Sequence, residues 1–177
     1  MIIANNLDKS FGPQSLFEGV SFLVNEGERV GLVGKNGTGK STLFKMILGH
    51  ESPDSGTLTT PKGYRIGALE QIISFTKTTV LEECVEVLNP EKQWENYRAE
   101  IILSGLGFSE QDFYKDPTTF SGGYQVRINL CKALLANPNM LLLDEPTNYL
   151  DILSLRWLKE YLNKWPGEML LITHDRD

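Results

Sequence analysis

The segment Gly34–Ser41 carries the clearest chemistry in this chain, because it matches the G-x-x-x-x-G-K-[ST] phosphate loop at every fixed position. Glu28–Val33 before it has the composition of a short buried strand, and Ser41–Leu48 after it has helical spacing. Glycines let the backbone turn so that amide hydrogens converge, and the start of the following helix adds partial positive charge. The sequence therefore predicts a site for the phosphate chain of a nucleoside triphosphate.

Two side chains of this loop have predicted roles. Lys40 would reach the β- and γ-phosphates, and the Ser41 hydroxyl would hold Mg²⁺. The alternative is a glycine-rich turn with a chance lysine, and the flanking strand and helix argue against it. The predicted nucleotide-binding residues of the loop are Gly34, Lys35, Asn36, Gly37, Thr38, Gly39, Lys40, Ser41 and Thr42.

A second signal is Asp144-Glu145, which ends the apolar run Met140–Leu143. Ligands of open α/β sheets bind at the carboxyl ends of strands, so this pair is expected beside the phosphate loop. Asp144 is placed to hold Mg²⁺, directly or through water, and Glu145 to act as general base on the attacking water. Alone, the pair is as consistent with an acidic strand end that turns into solvent; the phosphate loop favours the catalytic interpretation.

A third signal is Ser121-Gly122-Gly123, at the start of a predicted helix. Ser121 suits an N-cap, and the glycines leave the first-turn amides unobstructed. Glycine is unfavourable in a helix unless something must approach closely, although an ordinary capped helix is the alternative. The pattern predicts a second helix end that contacts phosphate. The simplest use of both ends is a pair of such domains, each covering the other's nucleotide.

The elements that would position these residues alternate between strands and helices. Strands are predicted at Ile2–Leu7, Val20–Val24, Glu28–Val33, Thr57–Thr59, Tyr64–Leu69, Met140–Leu143 and Glu168–Thr173. Helices are predicted at Ser41–Leu48, Thr79–Leu88, Glu91–Leu103, Ser121–Ala136 and Ser154–Lys164. The pattern is an α/β core with a β-rich N-terminal part and a helical insert over residues 74–120.

Composition limits the function classes. With 177 residues, of which 41% are hydrophobic and 23% charged, the chain is expected to be one soluble domain, residues 1–177. Neither a secretory signal nor an apolar run of transmembrane length is present, which predicts a cytoplasmic location without membrane insertion. The net charge of −6 gives no support to bulk attraction to nucleic acid. Cys84 and Cys131 lack metal-ligand spacing and are predicted to be reduced thiols.

The motifs follow a definite order: the phosphate loop, Gln71 after an apolar strand, the segment Phe120–Leu135, LLLDEPTNYLD, and ITHD near the end. This ordered set resembles the ATP-binding cassette (ABC) ATPases, and the resemblance covers essentially the whole chain. It implies a P-loop NTPase core with an N-terminal antiparallel β subdomain and a helical subdomain. It also implies Mg²⁺-dependent hydrolysis of ATP that needs a second cassette, in the same full-length chain or in a homodimer, for full activity.

The resemblance implies roles for three further residues. Phe11 corresponds to the aromatic ring that stacks on adenine; the alternative is a core residue at a strand end. Gln71 corresponds to the residue that senses Mg²⁺ and the attacking water, although a lone glutamine would be interpreted as surface. His174 corresponds to the histidine that contacts the γ-phosphate, whereas a single histidine after an apolar strand is more often structural.

The resemblance also implies contacts made across a pair of cassettes. Ser121, Gly122 and Gly123 correspond to the signature that contacts the γ-phosphate bound by the partner. Asp151 corresponds to the aspartate that passes between the two cassettes; without the resemblance it is a plausible helix N-cap.

Within this family, DEPTNYLD and THDRD are most similar to the ABC-F subfamily, soluble proteins with two cassettes in one chain that act at the ribosome. Tyr149 replaces the usual histidine of that branch, and residues 72–119 are too few for its long helical arm. The chain ends at Asp177, where cassettes usually continue with another strand and helices. The expectation is the first cassette of a longer protein, or a trimmed form of one.

Two function classes remain open. One is an ATP-driven ribosome or translation factor of the ABC-F type. The other is the ATP-binding subunit of a membrane transporter, whose helical insert would dock a permease. A nucleotide-binding module with incidental hydrolysis is a third interpretation. A second cassette directly downstream in the gene, without a permease gene alongside, would favour the first class.

Overall fold

The computed structural model describes residues 1–69, 74–88 and 94–173. The strands are β1 (Ile2–Phe11), β2 (Gln14–Val24), β3 (Arg29–Val33), β4 (Ser55–Thr59), β5 (Ile66–Ala68), β6 (Met140–Asp144) and β7 (Glu168–Thr173). The α-helices are α1 (Lys40–Ile47), α2 (Val80–Val85), α3 (Asn96–Gly105), α4 (Gly122–Leu135) and α5 (Ile152–Asn163). Two compact units result: residues 1–66, 139–145 and the segment from Gly167 form the first, and residues 67–138 and 146–166 form the second.

The first unit begins with an antiparallel sheet of order β2-β1-β4. β1 and β2 form a hairpin in which Ile2 lies opposite Val24 and Phe11 lies opposite Gln14 at the turn. Both strands are longer than the predicted segments. Polar residues within β1 and β2, such as Asp8, interrupt the apolar alternation although the strand continues through them. A prediction from alternation alone therefore ends the strand too early.

The first unit also contains the parallel strands β3, β7 and β6, in a sheet of order β3-β7-β6-β5. Met140, Leu141, Leu142 and Leu143 are all 0% exposed, which confirms the continuous apolar run as a strand buried on both faces. The prediction of a buried strand at residues 28–33 was wrong in its burial. β3 lies at the edge of the described sheet, its residues are exposed or partly exposed, and Val33 is 50% exposed.

The second unit is helical. α2 and α3 both pack against α4, and their shared core includes Val80, Leu103 and Ile128. α2 is shorter than predicted, because it starts after the capping residue Thr79 and ends at Val85. α3 starts at Asn96 and ends at Gly105, two residues beyond the predicted end at Leu103. The predicted break at residues 89–90 and the start of the second predicted helix, residues 91–93, lie outside the described residues.

Two buried features stabilise this helical unit. Glu83 is fully buried; Lys132 donates a hydrogen bond to its carboxylate, and so do the backbone N–H groups of Thr76 and Lys77 at 2.9 and 3.0 Å. Cys84 and Cys131 are free thiols and are also buried. Across the described ranges, no helix combines the length and the apolarity that crossing a lipid bilayer requires.

Candidate nucleotide-binding site

The predicted phosphate loop connects the end of β3 to the start of α1. Gly37 and Gly39 have φ angles of +80° and +93°, a region that residues with side chains rarely adopt. A Cβ at Gly39 would also lie 2.8 Å from the ring of Phe17. The shape of the loop therefore requires these two glycines. They lead the chain into α1, whose first-turn amides have no acceptor within the helix and are available to an anion.

Lys40, the first residue of α1, lies across this loop. Its Nζ donates to the carbonyl oxygens of Gly34 and Lys35 at 2.7 and 2.9 Å, and the residue is 9% exposed. The Thr38 hydroxyl donates to the same Lys35 carbonyl at 2.9 Å. The ammonium group is thus held against the loop backbone by neutral acceptors, which phosphate oxygens would replace with stronger charge-assisted hydrogen bonds.

Ser41 and Asp144 meet although they are far apart in sequence. The Ser41 hydroxyl donates to Oδ2 of Asp144, the last residue of β6, at 3.2 Å. A hydroxyl and a carboxylate oxygen are ligands of the type that Mg²⁺ prefers. In the part of the chain that the structure describes, no group of three or more His, Cys, Asp or Glu side chains is arranged to hold a metal ion. A cation at Ser41 and Asp144 would need further ligands, of which phosphate oxygens and water are two possible kinds.

Glu145 follows directly and turns the chain at the end of β6. Its φ of +49° is uncommon for a residue with a side chain, and its backbone N–H donates to the carbonyl oxygen of Ile172 in β7 at 3.0 Å. The neighbouring strand thus fixes the strained backbone. Such strain is frequent where a side chain must be held in one place for function.

A cavity of about 320 Å³ extends along this side of the first unit. Its volume lies in the usual range for a small-molecule site. Phe11, the last residue of β1, is 49% exposed and lines the cavity, so it is not the core residue that a strand-end position alone would allow. The lining residues are Phe11, Gln14, Leu16, Asn36, Gly37, Gly39, Lys40, Ser41, Thr42, Asp144 and Ile172.

The cavity brings together most of the predicted nucleotide-contacting residues. Of the loop residues, Gly34, Lys35 and Thr38 shape the backbone instead of lining the cavity. Gln71 and His174 lie outside the described residues, so their predicted roles remain predictions.

The second predicted phosphate-contacting segment starts α4 in the helical unit. Ser121 occupies the predicted N-cap position. Its side chain, however, makes no capping hydrogen bond, so this part of the prediction was wrong. A Cβ added to Gly122 or Gly123 would meet no atom within 4 Å. Nothing in the described chain therefore requires glycine at either position.

An aromatic cluster supports this helix end from within the second unit. The ring centroids of Phe108 and Tyr124 lie 5.1 Å apart in an edge-to-face arrangement, and Phe120 lies 5.4 Å from Phe108. The amide of Gln125 donates to the carbonyl oxygen of Phe120 at 2.9 Å. These contacts fix the backbone on which Ser121 and the two glycines are carried.

Arg127 is a positioning residue that the sequence did not reveal. It is buried in α4, where Nε donates to the carbonyl oxygen of Tyr149 at 2.8 Å and Nη1 to that of Leu106 at 2.8 Å. Nη1 also pairs with Oδ2 of Asp151 at 3.0 Å. The available signal was a cation between two apolar residues, Val126 and Ile128, of the predicted helix, since a buried arginine is unusual. Arg127 thus joins the helix of the Ser121–Gly123 segment to the segment that carries Asp151.

Asp151 acts as the N-cap of α5, the role that its position alone suggested. Its Oδ1 accepts from the backbone N–H groups of Leu153 and Ser154 at 3.1 and 2.9 Å. The N–H of Ser154, followed by the Arg127 guanidinium, lowers the pKa of Asp151 below its ordinary value. The next residues, Ile152 and Leu153, are 76% and 75% exposed, so an apolar surface adjoins this cap.

The second unit has a cavity of its own, of about 740 Å³. Its lining includes the half-exposed Tyr97, Ile101 and Tyr114, together with Trp157, whose ring stacks on Tyr161 at 5.2 Å between centroids. The ring of Tyr161 lies in turn 6.1 Å from the ring of Trp165. We call this surface the aromatic groove; four aromatic residues line it together with the carboxylates of Glu100 and Glu110.

The phosphate loop, the Ser41–Asp144 pair and the parallel sheet together define a P-loop nucleotide-binding domain. Comparison with known proteins extends this assignment. Residues 17–148 match the family described as ABC transporter. The chain therefore belongs to the ABC transporter family, as an ATP-binding cassette with an α/β P-loop NTPase fold.

Its relatives include proteins about three times as long. The chain is 32% identical over 207 residues to the probable ATP-binding protein YheS of Escherichia coli K12, covering 100% of this chain and 32% of YheS. It is 39% identical over 180 residues to the energy-dependent translational throttle protein EttA of Escherichia coli O6:H1, covering 97% of this chain and 32% of EttA. A solved ATP-binding subunit of an ABC transporter superposes with a TM-score of 0.85 at 26% identity, covering 98% of this chain and 79% of that one.

Proposed function

We propose that this cassette binds Mg²⁺-ATP in the cavity of the first unit and hydrolyses it. The observation that carries the proposal is that one cavity is lined by three kinds of group. These are the exposed aromatic ring of Phe11, the phosphate loop with Lys40, and the Ser41–Asp144 pair. A base, a phosphate chain and a cation each find a chemically suitable surface there.

In this proposal each residue has one task. Phe11 stacks on the base, and the amides of the loop and of the first turn of α1 bind the phosphates. Lys40 pairs with the terminal phosphates, and Ser41 and Asp144 hold Mg²⁺. The bound cation would neutralise phosphate charge; the protein's own part is to orient the phosphates beside it.

Glu145 is the proposed general base. It follows the Mg²⁺-holding Asp144 directly, and its backbone is fixed by β7 through the hydrogen bond to Ile172. A carboxylate held in one place beside the terminal phosphate can take a proton from an attacking water. Gln71 and His174 are proposed to contact that water and the γ-phosphate.

Glu145→Gln tests the assignment, because the amide keeps the shape but cannot accept the proton. We expect unchanged ATP affinity by calorimetry and a turnover lower by about 10²–10⁴-fold. Glu18→Gln, an exposed carboxylate in β2, serves as the matched control and should hydrolyse ATP at the parental rate. Parental turnover by the Glu145→Gln variant would exclude Glu145 as the base.

We further propose that a second cassette completes the site. Gly122 and Gly123 have room around them that the chain itself does not use, and exposed Ile152 and Leu153 provide apolar surface next to Asp151. A partner's γ-phosphate would approach the start of α4, while Asp151 and its neighbours contact the partner. Because the active species is then a pair, turnover per molecule should rise with protein concentration.

For the whole protein, we propose a cytoplasmic ABC-F factor that acts at the ribosome. The support is the 39% identity to a translational throttle protein, together with the DEPTNYLD and THDRD segments. The alternative is the ATP-binding subunit of a membrane transporter. The aromatic groove of the second unit favours it, since a permease segment of apolar character would fit such a surface.

Sedimentation separates these two candidates. The full-length Glu145→Gln protein with ATP should accumulate in its ATP-bound state and sediment with ribosomes if it is an ABC-F factor. A Lys40→Ala version, impaired in binding ATP, is the control and should stay in the supernatant. Absence of Glu145→Gln protein from the ribosomal pellet, with recovery in a membrane complex with a permease, would support the transporter instead.

A further inference from the structure

The aromatic wall of the nucleotide cavity has a cation on one of its faces. Nζ of Lys9 lies over the ring of Phe11, 5.1 Å from its centroid. The ring, and not the ammonium group, lines the cavity. A cation placed over a ring face is attracted by the negative π-electron density of that face. Phe11 therefore has one face in contact with Lys9 while about half of its surface remains exposed.

Lys9 itself is held firmly. Only 8% of its side chain is exposed, and Nζ donates to Oε1 of Glu51, the carbonyl oxygen of Ser52 and Oδ1 of Asp54 at 2.7, 2.8 and 3.2 Å. These three acceptors use all three donors of an ammonium group. Two carboxylates and one carbonyl oxygen therefore fix the position and the orientation of the Lys9 ammonium group.

The acceptors belong to the segment that follows α1. The N–H groups of His50 and Glu51 both donate to the carbonyl oxygen of Lys45 in the last turn of that helix, at 2.8 and 3.2 Å. Oδ2 of Asp54 accepts from the backbone N–H of Ser10 at 2.7 Å. α1 starts at the phosphate loop, and the segment after it makes hydrogen bonds with Lys9 and Ser10, the two residues before Phe11.

We propose that Lys9 is a positioning residue for base recognition: it presents the free face of Phe11 to the nucleotide base and links that ring, through Glu51 and Asp54, to the helix that receives the phosphates. The inference rests on the proposed role of Phe11 as the base-stacking residue. A ring already oriented before binding loses less conformational freedom when the base arrives, so affinity is gained without a direct contact to the nucleotide.

The test compares ATP with inorganic tripolyphosphate, which shares the phosphate chain and has no base. Calorimetry with Lys9→Met, which keeps the length of the side chain and removes the charge, should show ATP affinity lower by about 3- to 10-fold and tripolyphosphate affinity unchanged. Lys9→Arg retains a cation that stacks on aromatic rings and should restore most of the ATP affinity. Equal losses for both ligands would show that Lys9 only maintains the loop, and would overturn the proposal.

A double-mutant cycle separates this inference from the proposed function. Phe11→Ala alone should weaken ATP binding, and adding Lys9→Met to it should cause no further loss, because the ring through which the lysine acts is gone. If Phe11→Ala leaves ATP affinity unchanged, the stacking role of Phe11 fails. If Phe11→Ala weakens ATP binding and Lys9→Met does not, the role of Lys9 alone fails.

A further measurement does not depend on whether a Lys9 variant folds. In the unsubstituted chain, the proton NMR signals of the Lys9 ε-methylene should be shifted by the ring current of Phe11. We expect this ring-current shift before ATP is added and its retention when ATP or tripolyphosphate binds, because the ring is already oriented. Absence of the shift in the ligand-free protein, or its appearance only with ATP, would overturn the proposal.

Discussion

The glycines of the phosphate loop and those at the start of α4 sit before or in the first turn of a helix, yet the chain constrains them differently. Gly39 has a φ of +93°, and a Cβ there would lie 2.8 Å from Phe17. Gly122 and Gly123 have ordinary helical backbones, and a Cβ on either would meet nothing within 4 Å. The first region needs glycine for its own folding. The second shows no such requirement within the described chain, and only the proposed second cassette would supply one.

The largest expected effect is that of Gly39→Ala. The strained backbone and the contact with Phe17 should each destabilise the fold by about 1–3 kcal/mol, measured by urea unfolding. Adding Phe17→Leu should recover the packing part and leave the backbone part. If Gly39→Ala is as stable as the parent chain, the loop does not require glycine there, and the contrast with Gly122 disappears.

Lys40→Ala should have the next largest effect, on ligand binding. Buried charge-assisted hydrogen bonds contribute about 1.5–3 kcal/mol, so ATP affinity should fall by about tenfold or more in calorimetry. Lys35→Ala is the matched control: the residue lies in the same loop with an exposed side chain, and only its backbone contributes to the loop. Similar losses for both variants would mean that overall positive charge, and not the position of Lys40, binds the phosphates.

Gly122→Ala sharpens the comparison, because stability and activity should change in opposite directions. Alanine in a helix is favoured over glycine by about 0.5–1 kcal/mol, so the variant should resist urea slightly better. Its turnover should no longer rise with protein concentration. Gly122→Asp should also fold well, since a carboxylate suits a helix N-terminus, while its charge repels a partner's phosphate.

The two variants together exclude unfolding as a cause of lost activity. Both should bind ATP as the parent does, because the cavity of the first unit is unchanged. A turnover that is high and independent of concentration in the parent chain would contradict the need for a second cassette. Concentration-dependent turnover that survives Gly122→Asp would instead show that pairing does not use this helix end.

The smallest effect concerns Asp151. Asp151→Ala should lower the free energy of unfolding by about 1 kcal/mol through the lost cap, and Asp151→Asn, an equally good cap, by less. Because the pKa of Asp151 is lowered in the fold, its carboxylate stabilises the protein at pH values above about 4, the ordinary aspartate pKa, and this contribution is lost as pH falls further. The stability difference between parent and Asp151→Asn, followed by urea unfolding against pH, should therefore shrink on acidification.

How much the sequence revealed differs between the same two regions. The phosphate loop was predictable residue by residue, because its constraints are local: glycines, one lysine and one hydroxyl at fixed spacing. Ser41 and Asp144 were also expected together, since strand ends share one edge of a parallel sheet. The edge position of β3 was not predictable, because an apolar strand has the same composition in the centre and at the edge of a sheet.

The polar contacts inside the helical unit were not predictable either. Arg127 looked like an ordinary residue of α4, and only the fold shows that Tyr149, Leu106 and Asp151 converge on it. Such long-range polar contacts leave no periodic pattern in the sequence. The same holds for Lys9, whose partners lie more than forty residues further along the chain.

The tryptophans of the second unit, two of which lie beside Tyr161, can report on that unit by fluorescence. All three tryptophans, Trp94, Trp157 and Trp165, belong to that unit, whereas the first unit, with the nucleotide cavity, has none. Intrinsic emission on excitation near 295 nm therefore follows the helical unit alone. Calorimetric heat on adding ATP with silent emission would mean that nucleotide binding stays local. A shift in the wavelength of tryptophan emission would show, without any attached label, that nucleotide binding changes the helical unit.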